Sequence, residues 1–146
     1  MNQQEQQQLQ RKIIELNMLD QRCKQIQQQV NVVDQQLTEL QLLENNINEV
    51  KKIENNSETL SQLGQGIFVK SKVNKIDEVF IDIGSKIVVK KNVEDAKELI
   101  KKRIEQVMNI RELILQELSN MILTIQILEK EIQQKIEKKS DKDTTQ

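Results

Sequence analysis

Leu16, Leu19, Cys23, Ile26, Val30, Val33, Leu37 and Leu40 follow one another at spacings that alternate between three and four. Four uninterrupted heptads of this kind commit the segment to a helix with one narrow apolar seam. Such a seam cannot enclose a globular core and must lie along another helix. Placing Leu16, Cys23, Val30 and Leu37 at a and Leu19, Ile26, Val33 and Leu40 at d, the lone cysteine becomes a small buried hydrophobe, with no second Cys or His to activate it. Glu44 falls on the next a, and the apolar series continues as Leu43, Ile47 and Val50, which predicts a stammer there. The glutamine-rich start, Gln3 to Gln10, reads as a solvated helix end.

A second run matches the first in length. Ala96, Ile100, Ile104, Val107, Ile110 and Ile114, then Leu118, Met121, Ile125, Leu128, Ile132 and Ile136, keep helical spacing with one shift of register between Ile114 and Leu118. Asn92 is suited to cap this helix, and Glu94 and Asp95 place negative charge in its first turn. Each arm has about forty-five residues, about 68 Å at the helical rise. Equal arms around a short connector predict an antiparallel pair in which residue i faces roughly residue 145 − i. The alternative, each arm pairing with another molecule, would leave the length match as coincidence.

The connector holds all three glycines and the only β-like pattern. Four short strands are predicted: Thr59 to Leu63 (the weakest), Ile67 to Val73, Val79 to Ile83 and Ile87 to Lys90. A two-residue Gly84-Ser85 turn joins the last two. One or two hairpins are marginal alone and leave unpaired edges, so this head is expected to complete a sheet or barrel with other chains. Ile67, Val69, Val73, Val79, Ile81, Ile83, Ile87 and Val89 are the expected assembly residues. The predicted fold class is α+β, a long antiparallel two-helix coiled coil joined by a two-hairpin head that oligomerises into a β-barrel. Residues 1–56 form the first helix, 57–92 the head, 93–138 the second helix and 139–146 a disordered tail.

Composition removes several function classes. The chain has no His, Trp, Tyr or Pro, two Phe, 31% charged residues and a formal net charge of −1. Signs mix along the helices, so neither nucleic acid nor an anionic membrane is an expected partner. Apolar runs are too short to span a bilayer, and the polar start MNQQEQQQLQ lacks a signal-peptide core. One cysteine fits a reducing cytoplasm. Without histidine or a phosphate-binding glycine loop, no catalytic, metal or cofactor site is expected, and an enzyme is not the reading.

Gly66 to Val73 (GIFVKSKV), Val79 to Gly84 (VFIDIG) and Val88 to Lys97 (VVKKNVEDAK), in that order and between arms of this length, resemble the α class of prefoldin subunits. The two hairpins favour the α class over the β class, which has one. Ser61-Gln62-Leu63-Gly64 departs from the family's usual Val-Pro-Leu-Gly, and Lys86 stands where a small residue is common. The resemblance implies a hexamer of two α and four β prefoldin subunits. It also implies ATP-independent holding of unfolded polypeptide by hydrophobic surface on the distal arms, and delivery to a group II chaperonin.

Candidate binding residues come from what the seam does not use. With Leu118 at a and Met121 at d, Leu123 falls at f and Ile127 at c; in the first arm Ile14 falls at f and Met18 at c. The antiparallel register sets Met18 level with Ile127, about 50 Å of helix from the head. Single exposed apolar residues are ordinary, but four at one level mark a candidate contact for unfolded polypeptide. Leu9, Ile13, Ile132 and Ile136 near the arm tips are further candidates, or else the ends of the seam. The competing readings are a coiled-coil scaffold or tether for a fixed partner and a transcription-associated prefoldin-like protein.

Overall fold

A computed structural model describes residues 3–143, with side chains over residues 3–137. The elements run α1 (Gln3–Val50), β1 (Ser57–Gly64), β2 (Ile67–Val73), β3 (Glu78–Asp82), β4 (Val88–Asn92) and α2 (Val93–Asp143). Two long helices and two antiparallel strand pairs are thus the fold expected. Backbone packing divides the chain into a terminal unit (Met1–Asp34, Asn109–Gln146) and a unit central in sequence (Gln35–Met108).

In the terminal unit α1 and α2 pack as an antiparallel coiled coil. Cys23, Ile26, Val33, Leu128 and Ile132 are its buried side chains. Lys12 pairs with Glu131, Arg22 Nη2 lies 3.4 Å from Glu117 Oε1, and Arg111 Nε donates to Asp34 Oδ1 at 2.5 Å. Partner numbers fall on one helix as they rise on the other, close to the predicted register. Cys23 is buried and free.

The seam corrects two sequence expectations. Ile110, assigned to it, is 50% exposed, and the half-buried Arg111 takes its place. Its guanidinium meets Asp34. The hydrogen bond to Asp34, then its charge, raises the Arg111 pKa above its ordinary value. In the central unit, Glu44 is half-buried and Leu43 44% exposed, so the heptad continues unbroken through Glu44 to Ile47 and the stammer predicted at Leu43 is absent.

The central unit has a small core of Ile47, Val93, Ala96 and Ile100, with Val50, Val79, Ile81 and Ile104 packed against it. The inward face of β3 therefore covers the ends of the two helices. Asn92 Oδ1 accepts from the Asp95 amide at 2.7 Å, the cap expected, and the Val93 amide donates to Asp77 O at 3.2 Å. Lys51 pairs with Glu94; loss of water contact, then the nearby Lys97 ammonium, draws its pKa down.

β1 pairs with β2 and β3 with β4, each as a separate two-stranded sheet. Ser57 lies opposite Val73 and Gln62 opposite Phe68, with a register shift between Gln62 and Gly64. β1 is eight residues long, beyond the Thr59–Leu63 span predicted. The polar sequence SETLSQLG gives weak alternation, while its pairing to β2 is carried by the backbone. The β3–β4 turn is also longer than the predicted two residues. Gly84, Ser85 and Lys86 take φ of 103°, 54° and 62°, closed by the Ile83 amide donating to Ile87 O at 3.0 Å. α2 continues as helix to Asp143, past the boundary predicted at Lys138. Residues 144–146 of the predicted tail lie outside the described residues.

Candidate functional site

In the terminal unit Ile14, Met18, Leu123 and Ile127 are 59%, 66%, 55% and 61% exposed. All four point away from the seam, because f and c positions lie opposite a and d on a helix. The Lys12–Glu131 and Arg22–Glu117 pairs bracket them, so residues 14–18 of α1 lie level with residues 121–129 of α2. Ile14 and Met18 are joined on α1 by a shallow depression of about 630 Å³, which Leu19, Arg11 and Arg22 also line. On α2, Ile122 extends the apolar surface beside Leu123. The rim carries both signs, with Arg11, Glu15 and Arg22 on α1.

The other arm candidates separate. Ile132 is 9% exposed and belongs to the seam, Leu9 is half-buried, and Ile13 and Ile136 are solvent-exposed. At this end polar groups enter the seam: the half-buried Lys12 stands at a d position, and Lys135, also half-buried, donates to Gln8 Oε1 at 3.3 Å. The hydrogen bond from Lys12, then its charge, lowers the pKa of Glu131.

Of the head candidates in the central unit, Val79 and Ile81 pack on the chain's own helices, and Val73 and Val89 are half-buried. Ile67, Val69, Ile83 and Ile87 are exposed. Sequence reasoning missed four further outward groups, Leu60, Leu63, Phe68 and Phe80, of which Phe80 is 72% exposed. The signal was available, since Phe80 alternates with Val79 and Ile81 and a one-layer sheet must leave one face bare. Among the described residues no cluster of His, Cys, Asp or Glu is arranged to hold a metal ion, and no helix is long and apolar enough to cross a membrane.

A helical hairpin with paired β-hairpins between its arms is a specific combination, and comparison with known proteins decides what it is. The family model described as Prefoldin subunit matches residues 19–138, most of the chain. The chain belongs to the prefoldin subunit family. It is 32% identical over 111 residues to Prefoldin subunit alpha of Methanobrevibacter smithii, covering 74% of this chain and 75% of that protein. It is 30% identical over 109 residues to Prefoldin subunit alpha of Methanosarcina barkeri, covering 73% and 76%. A cryo-EM structure of filamentous PFD from Methanocaldococcus jannaschii has the same fold, with a TM-score of 0.69 and 19% identity over 79% of this chain and 95% of that one. The prefoldin match runs through most of both helices and all four strands, and includes Leu123 and Ile127; Ile14 and Met18 lie on the part of α1 that precedes it.

Proposed function

We propose that this chain is the α-type subunit of a prefoldin hetero-oligomer that holds non-native polypeptide without ATP. The observation that carries the reading is the group of four large apolar side chains, more than half exposed and level with one another, in a chain of this family. A flexible Met beside Leu and Ile on an open helix surface gives weak contacts that tolerate many sequences. Several such surfaces in one assembly raise avidity without a tight individual site.

The central unit supplies the means of assembly. Its two-stranded sheets leave backbone edges unpaired and expose Phe68, Phe80, Leu60 and Leu63. Strands of neighbouring subunits would satisfy both at once, closing a β-barrel. The proposed complex contains two α-class and four β-class subunits, works in the cytoplasm and passes its client to a group II chaperonin. The test is the mass of the native complex and its effect on several unrelated unfolding proteins. The reading requires a hetero-oligomer that slows aggregation of all of them with no nucleotide present. A complex that binds one folded partner and protects no client would instead be a tether.

A further inference from the structure

The outer face of α1 does not end at Met18. The f and c positions of successive heptads carry Ile14, Met18, Gln21, Gln25, Gln28 and Val32. Ile14 and Met18 line one surface depression and Val32 a second, and Gln25 lines both. Val32 is 65% exposed, as open as Met18. The strip is thus apolar at both ends and floored by amides between. Gln21, Gln25 and Gln28 take part in none of the side-chain hydrogen bonds formed among the described residues. From Ile14 to Val32 it spans about 27 Å of helix.

Building on the holdase reading above, we propose that this strip is an extended subsite for the backbone of non-native polypeptide. A stretch of about eight extended residues matches its length. Each glutamine offers two donors and an acceptor, which complement the unpaired N–H and C=O groups of an unfolded chain whatever its side chains are. A charged floor would select clients by charge, and an apolar floor would bind a second helix instead. Neutral amides between two apolar anchors suit an extended segment whose apolar side chains fall at either end. The glutamine content of this face then has a role beyond solubility.

The test uses the full-length chain in its native complex, with reduced, carboxymethylated α-lactalbumin as a permanently unfolded probe. Replacing Gln21, Gln25 and Gln28 together with Ala keeps the helix and should weaken probe binding about three- to tenfold, with thermal stability unchanged or raised. A photoreactive residue at Gln25 should cross-link to the probe. Unchanged affinity in the alanine variant overturns the subsite. Cross-linking from Met18 but not from Gln25 also overturns it while leaving the holdase reading intact. Silence at both positions removes the reading beneath it. Cross-links from Gln25 only to a second copy of the chain would make the strip a subunit contact and overturn the proposal.

Discussion

Both units expose large apolar side chains, but they expose them on different backbones. In the central unit Leu60, Leu63, Phe68 and Phe80 stand on strands whose edges are unpaired. In the terminal unit Ile14, Met18, Leu123 and Ile127 stand on helices whose backbone groups are already bonded within the helix. A strand edge imposes register and direction on whatever joins it, so apolar groups there favour one defined partner. A helix exterior imposes neither. The same residue types would therefore suit fixed assembly in one place and, under the proposed function, tolerant holding in the other.

The largest effect should come from the strand side of this contrast. Replacing Phe68 and Phe80 with Ser removes two exposed rings that make no core contact in the chain itself. The chain should stay helical by circular dichroism but lose its oligomeric mass in native mass spectrometry. A variant that assembles normally would break the distinction between the two surfaces.

A smaller effect, of opposite sign, is expected at the β3–β4 turn. Ser85 and Lys86 both occupy the left-handed region, at φ of 54° and 62°. Left-handed backbone costs a residue with a Cβ about 1–2 kcal/mol, part of which glycine returns as unfolded-state entropy. Lys86→Gly should therefore raise stability by about 1 kcal/mol in thermal or denaturant unfolding. A destabilised variant would show that Lys86 makes a contact its backbone conformation does not reveal.

The smallest effect is the pH dependence of the Lys12–Glu131 pair. Lys12 lowers the Glu131 pKa in the folded chain, so the pair's contribution is complete above the unfolded glutamate value, about 4.3, and is lost as pH falls through the folded value. The melting temperature of wild type should exceed that of Glu131→Gln slightly at neutral pH, and the two should converge in acid. Both side chains remain partly solvent-exposed, which keeps the difference small. A difference that grows in acid would contradict the pairing.

Much of this architecture was legible because helical heptads and strand alternation are written in residue type. The seam positions from Leu16 to Leu40, the Asn92 cap and the span of β2 are read directly. The misreadings share a cause. Choosing the nearest apolar residue put Leu43 and Ile110 in the seam, whereas the backbone keeps its period and brings Glu44 and Arg111 inward. An Arg with a long stem and a carboxylate neighbour in Asp34 tolerates such a position. Likewise, alternation marked Val79 and Ile81 as one face without saying that the chain's own helices cover it. The exposed pairs at 14, 18, 123 and 127 followed from the heptad assignment alone, since c and f positions face away from the partner helix.

Those four side chains are the proposed contacts for the client. The direct measurement is the affinity of the assembled complex for an unfolded probe when Ile14, Met18, Leu123 and Ile127 are all replaced by Ser. The holding role calls for tenfold or greater weakening, the equivalent of about 55 Å² of apolar surface no longer buried, with native mass and melting temperature little changed. Undiminished affinity in a fully assembled variant would contradict it.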